Sequence, residues 1–395
     1  MPERPNIVVV LCDQMRRRAM SCAGDPNVST PHLDGLAENG VRFTNANATY
    51  PICVPARLSF VTGEHAHTRH AHHIWRMSPA ERTFAHELGE AGYETGYVGK
   101  WHLADVGHDR PVPPELQGGF DYWRGFENKN APFETAYFAD DDPTPRPLDS
   151  YQTDGLFDLG YGFLDERDGD DPFCLTVSVE PPHPPFVAPD EYLERWEDRE
   201  LELRENVPYP DEDALPGQYS QWGDRATATE ELYEHPGYFG DTLLDEMRGY
   251  YAMIENLDDN VGRLLDELEA RGIREETAVV FMSDHGEMMG SHGLMAKQHP
   301  YEESVGVPFI VSYPEGGIDD GRTITEPACT EDWYPTILGL AGIDSPGKPG
   351  EDLTPLMRGD RSSLERPGVL LEFVREIRPH MPYHDETWRG FRTER

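Results

Sequence analysis

Asn6-Ile7-Val8-Val9-Val10-Leu11-Cys12-Asp13 is an apolar, β-branched run closed by a carboxylate. A short run without polar alternation reads as a strand buried on both faces, as in a parallel sheet covered by helices. Working outward, Glu94–Gly99, Phe173–Val179 and Thr277–Met282 have the same character, and Val307–Ser312 gives a fifth strand. Helices are expected between them at Pro31–Asn39, Thr83–Ala91 and Thr242–Arg271. The last carries Leu243, Met247, Tyr250, Ile254, Leu257, Val261, Leu264 and Leu268 at helical spacing, with Gly272 placed as a C′ glycine. Strands alternating with helices predict an α/β fold: a mainly parallel central sheet flanked by helices. Two stretches, Asp105–Asp171 and Pro184–Tyr238, are rich in Pro, Gly, Asp and aromatics and read as long irregular loops of the lid or binding kind. Val369–Val374 and Trp388–Thr393 look like strands of a separate small sheet.

Each of four strands is followed at once by groups able to bind a metal or move a proton. The first ends in Asp13, the second in Lys100-Trp101-His102, the third in Glu180-Pro-Pro-His183, and the fourth in Asp284-His285. Ligands of open α/β sheets bind outside the carboxyl ends of strands, so these turns are expected to meet in one crevice. A lone Asp or His after a strand is usually a turn residue or a cap. Four such turns together are harder to read that way.

The composition limits the partners. The 395 residues include 74 acidic and 34 basic side chains, for a formal net charge of −40. Nucleic acid and anionic lipid surfaces are excluded as ordinary electrostatic partners, because both need clustered cations. Hydrophobic residues at 37% and aromatics at 10% exclude a disordered acidic chain. Lysine occurs only at Lys100, Lys129, Lys297 and Lys348, and the other basic residues are arginines. An acidic, lysine-poor chain reads as a cytoplasmic protein of a high-salt organism, where screening makes self-repulsion tolerable. No basic segment followed by an apolar one opens the chain, and no membrane-length apolar run occurs, so a soluble, cytoplasmic location without membrane attachment is expected. Cys12, Cys22, Cys53, Cys174 and Cys329 are odd in number and hold no CxxC pair, which is neither a disulfide framework nor a zinc site.

Cys53-Val-Pro55-Ala-Arg57 stands apart. Pro55 suits a first helical turn, which sets Cys53 at a helix N-terminus among free N–H donors, with Arg57 within one turn. An anion beside Cys53 would meet all of these. The histidine-rich stretch His65–His73 reads instead as a solvated cluster with one member lining the pocket.

With this segment the chain resembles the type I sulfatases of the alkaline-phosphatase-like superfamily. The resemblance runs through Asp13, Thr30-Pro-His-Leu-Asp34, Cys53–Gly63, Gly99-Lys-Trp-His-Leu103, Ser283-Asp-His-Gly-Glu287, Gly293-Leu-Met-Ala-Lys297 and Val307-Pro-Phe-Ile310. It implies a sulfuric ester hydrolase in which a maturation enzyme oxidises Cys53 to formylglycine. The hydrated aldehyde would attack sulfur and later expel sulfate. It further implies one divalent cation, calcium foremost with manganese or magnesium as alternatives, held by Asp13, Asp284, His285 and the modified Cys53, with Gln14 as a weaker ligand. His102 takes the role of base and His183 that of acid, while Lys100, Lys297 and Arg57 neutralise the sulfuryl oxygens. A phosphodiesterase or phosphonate monoester hydrolase of the same superfamily, or an idle relative that only binds an anion, is the competing reading. Sulfated carbohydrate is the expected substrate, with a small sulfated molecule the alternative; Trp123, Tyr137, Trp196 and Trp222 are possible platforms for sugar rings. Residues 1–360 are expected to form the catalytic α/β domain and residues 361–395 the start of a small C-terminal α+β subdomain, left incomplete.

Overall fold

The computed structural model describes residues 4–167, 169–207, 242–378, 381, 383–384 and 386–394. In chain order its strands are β1 (Asn6–Cys12), β2 (Val41–Phe43), β3 (Ala46–Asn47), β4 (Glu94–Lys100), β5 (Tyr122–Phe126), β6 (Ala136–Ala139) and β7 (Asp142–Pro147), then β8 (Phe173–Ser178), β9 (Thr277–Ser283), β10 (Phe309–Ser312), β11 (Arg322–Ile324), β12 (Ala328–Cys329), β13 (Val369–Phe373) and β14 (Trp388–Arg392). Ten of them form one sheet in the order β11-β2-β10-β9-β1-β8-β4-β5-β6-β7. Its centre, β9 through β5, is parallel, and antiparallel pairs flank it on both sides. This is the expected α/β architecture.

β1 lies at the middle because every residue after Asn6 is apolar and buried, while Asn6 Oδ1 accepts the N–H of Phe173. Its side chains alternate between two cores. Ile7, Val9 and Leu11 join the cluster beneath the helix Cys53–Thr62, and Val8, Val10 and Cys12 join the one covered by the 28-residue helix Leu243–Ala270. That helix buries its apolar stripe as the spacing predicts, and Gly272 follows it at φ +71°. Among the described residues no helix is long and apolar enough to cross a membrane.

The stretch Asp105–Asp171 is not irregular. It contains β5, β6, β7 and the helix Gln152–Glu166, which extend the sheet and cover one face. The predicted aromatic platforms are corrected with it. Trp123 is 1% exposed and stacks on Tyr97 at 5.2 Å, and Trp196 is fully buried against Tyr251. Both are core residues; Tyr137 is half-buried, and Trp222 lies outside the described residues. β13 and β14 pair as the expected separate small sheet. They are not detached from the rest, since Phe373 packs on Tyr50 at 5.0 Å and Glu372 donates its N–H to Thr49.

Candidate active site

Sheet register assembles the site. Cys12 pairs with Ser283 and Leu11 with Ser178, while Gly99 pairs with Ser178 from the other side. Asp13 and Asp284 each come one residue past a paired position, so they leave adjacent strands at one level, about 4.8 Å apart in the sheet. Lys100 ends β4 on the same edge. Gly99 makes that end possible: it sits at φ +104°, and a Cβ there would lie 2.0 Å from the Ser178 carbonyl oxygen. The four predicted turns therefore do converge.

Cys53 is the first residue of the helix Cys53–Thr62, as Pro55 led us to expect. Its Sγ lies 3.7 Å from Asp13 Oδ1, 3.2 Å from His285 Nε2 and 3.3 Å from Lys297 Nζ. Asp13, Cys53, Asp284 and His285 are all buried, and each offers a ligand atom within 4.8 Å of the others. His285 Nδ1 is 3.1 Å from the Gly286 carbonyl, which can only accept, so Nδ1 carries the proton and Nε2 presents its lone pair. Burial lowers the basicity of His285 and keeps it neutral, as a ligand must be. For Asp13 burial works against ionisation, but the charges of Lys100 and Lys297 outweigh it and hold the carboxyl well below the usual range. Two carboxylates, an imidazole and the Cys53 side chain fit a divalent cation.

Cations surround this cage. Lys100 Nζ is 2.7 Å from Asp13 Oδ2 and 3.6 Å from Glu180 Oε1, so its buried ammonium is paired with the cage carboxylate. Lys297 donates to Gln14 Oε1 at 2.5 Å and to Cys53 Sγ. Gln14, expected as a weak ligand, thus spends its carboxamide oxygen on Lys297 and its amide N–H on Glu287. It positions Lys297. Arg57, expected on the sulfuryl oxygens, faces the cage instead. It donates from Nε to Asp284 at 3.0 Å and from Nη1 to the Lys100 carbonyl and Ser178 at 2.9 Å, with Nη2 3.4 Å from Asp13. Four of its five N–H donors are thus spent on the cage and its supports, and one on Nη2 is left over.

The cage opens into a pocket of about 120 Å³, lined by Cys53, Lys100, His102, His183, Lys297 and Arg378 among others. His102 sits at φ +60° with Nδ1 free of partners. Burial and then Lys100 push it well below its ordinary value, so the ring is neutral. His183 places Nδ1 2.7 Å from the Pro184 carbonyl, leaving Nε2 for a ligand, and burial followed by Lys297 keeps it neutral too. His73, from the histidine-rich stretch, lines the pocket as expected of one member. His65 and His67 pair instead with Glu331 and Glu372.

Several contributors were not assigned roles from sequence. Glu180, 1% exposed, accepts the backbone N–H of Lys129 at 2.7 Å and of Asn130 at 3.0 Å, and so folds the Asn128–Asn130 segment over the pocket. Glu287 does the same for Met289 and Ala296, next to Lys297. Their signal was proximity to a strand end. Arg378 and Met381 reach the pocket from the C-terminal segment, and nothing local announces them.

Comparison with known proteins agrees with this geometry. The sulfatase family profile matches residues 5–343. An ulvan-active sulfatase of Formosa agariphila is 36% identical over 392 residues, covering 97% of this chain and 71% of the relative. The solved structure of BT4656 with its substrate D-glucosamine-2-N,6-O-disulfate superposes with a TM-score of 0.84 at 25% identity, covering 99% of this chain and 87% of that one. A phosphonate monoester hydrolase from Silicibacter pomeroyi shares the fold, with a TM-score of 0.79 at 22% identity over 99% of this chain and 86% of its own. With the profile spanning most of its length and a relative of this identity, the chain belongs to the sulfatase family of the alkaline-phosphatase-like superfamily and is a hydrolase of that family.

Proposed function

We propose that this hydrolase cleaves sulfate esters of carbohydrates, with Cys53 converted to formylglycine by a maturation enzyme and one divalent cation, calcium foremost, held by Asp13, Asp284, His285 and the modified residue. The observation that carries it is the burial of Cys53 within one small cage with two carboxylates and an imidazole, rimmed by Lys100 and Lys297. Burial and then Asp13 push the Cys53 thiol up, so the unmodified side chain is a poor nucleophile and suits a modified one better. The cation supplies neutralisation of oxyanion charge, and the hydrated aldehyde supplies the nucleophile.

The residues of the chain do the rest. Lys100 and Lys297 bind the sulfuryl oxygens as point charges, and Arg57 fixes both carboxylates. His102 Nδ1 removes the proton that releases sulfate from position 53. His183 gives a proton from Nε2 to the leaving alcohol once the bound anion has raised its basicity. The carbohydrate assignment rests on relatives that act on ulvan and on a disulfated glucosamine.

The test is a parallel turnover assay on sulfated saccharides, aryl sulfates and phosphate diesters, with the mass of the Cys53 peptide measured in the same preparation. We expect sulfated saccharides to be preferred and Cys53→Ala to lose at least about 10³-fold in rate. Faster turnover of phosphate diesters by modified enzyme would move the assignment to the phosphonate hydrolase branch.

A further inference from the structure

A second cavity, of about 470 Å³, lies beside the loop that follows Asp13 and is lined by Arg16, Arg17, Arg18 and Arg204 with Glu205, Asn206, Glu302 and Glu303. Gathering four arginines at one cavity is a costly arrangement in a chain with 34 basic residues and a net charge of −40. Arg16, Arg17 and Arg204 each meet one carboxylate, of Asp25, Glu302 and Glu303, and Arg18 meets none among the described residues. Arg16 is 2% exposed and gives Nη2 to Tyr251 and Asp25, while its Nε and Nη1 are buried without a partner. Arg17 pairs with Glu302, yet its Nη1 is also buried and unpartnered, and Glu302 is shared with Arg392. Arg204 reaches Glu303 at 3.3 Å and Ser291 at 3.3 Å. Burial, and then the neighbouring charge of Arg16, push its guanidinium down to about 10. Arg18 is exposed at the rim and makes no ion pair among the described residues.

The donors open to the cavity are those of Arg18, which is exposed, and the N–H groups of Arg204 not spent on Glu303 and Ser291. We infer that this cavity is a binding site for a tetrahedral oxyanion, a sulfate or phosphate group, separate from the Cys53 pocket. Arginine forks suit such an anion geometrically, and Arg18 and Arg204 are the residues that would release or hold it. The two sites share a wall. Tyr250 Oη accepts the N–H of Arg16 at 3.0 Å and donates to the Gln14 carbonyl at 3.2 Å, and Gln14 holds Lys297. The anion could be free in solution or a second charged group on a long substrate, and the chemistry at the arginines is the same.

The inference needs no turnover, so it stands or fails separately from the proposed reaction. Crystals of the full chain soaked in selenate should show an anomalous selenium peak in the arginine cavity as well as any peak near Cys53. Equilibrium dialysis with radiolabelled sulfate should show the cavity's site weakened at least tenfold in the Arg18→Gln, Arg204→Gln double variant. Arg18→Gln alone, at an exposed position, keeps the test usable if the double variant does not fold, and should weaken it about threefold. Unchanged turnover of a small sulfate ester with a fivefold higher KM for a sulfated oligosaccharide identifies a substrate group as the occupant. Lost sulfate binding with both KM values unchanged identifies a free anion. A selenium peak at Cys53 only, with sulfate binding identical in wild type and variants, overturns the site.

Discussion

Arg57 shows how much one side chain organises. Its planar fork touches Asp13, Asp284, Ser178 and the Lys100 carbonyl, so the carboxyl ends of β1, β9, β8 and β4 are tied through a single guanidinium. A lysine keeps the charge but not the fork. Arg57→Lys should therefore weaken divalent-cation binding about 10- to 100-fold, as loss of a partner behind metal ligands does. Isothermal titration with Mn²⁺ or Ca²⁺ checks it, and an affinity within twofold of wild type would count against the positioning role. The sequence made Arg57 visible through its spacing from Cys53, but not its direction. Which way a buried side chain points depends on the strands opposite it. The same holds for Gln14, whose carboxamide is claimed by Lys297 and Glu287, residues more than 270 positions away.

Among the elements, the helix Pro31–Glu38 illustrates a connection that sequence motifs hide. Thr30 precedes it but makes no side-chain cap, and Pro31 has no N–H to satisfy. The next two N–H groups, of His32 and Leu33, donate to Asp258 at 3.1 and 2.8 Å, from the middle of the long helix Leu243–Ala270. Asp258→Ala should cost about 1–2 kcal/mol in urea unfolding, the usual value of a lost cap. Burial also pushes the Asp258 carboxyl up to about 7. A folded value above the unfolded one means that this group's contribution is fullest at low pH and is lost as pH rises from about 4 through 7. Asp258→Asn should flatten that part of the stability profile, and an unchanged slope would refute it. Elements that escaped the sequence reading did so for comparable reasons. β7 is Asp-Pro-Thr-Pro-Arg-Pro, which reads as loop, and Pro is accommodated because β7 is the exposed edge of the sheet. In the helix Gln152–Glu166, Gly160 blurs the helical signal, yet it lets the helix approach Val177 closely.

For the whole molecule, the charge of −40 and the cationic pockets are two sides of one distribution. The acidic excess repels itself across the surface, and salt relieves it. Raising KCl from 0.1 to 1 M shortens the Debye length from about 10 to about 3 Å, so Tm should rise by at least about 5 °C. A calorimetric Tm that moves by less than a degree would show that surface repulsion does not limit stability. The sequence by itself determined the parallel core, the long helix and the four reactive strand ends. β-branched runs, helical spacing and residues at strand termini are local signals, and the sheet's topology carries them to one edge without further instruction. Only the tertiary structure decided which of those residues hold the cage and which hold one another. It also decided that Arg378 reaches the pocket from far along the chain, and that four arginines surround a second cavity. Those outcomes depend on distances between segments remote in sequence, and on which donors are already spent.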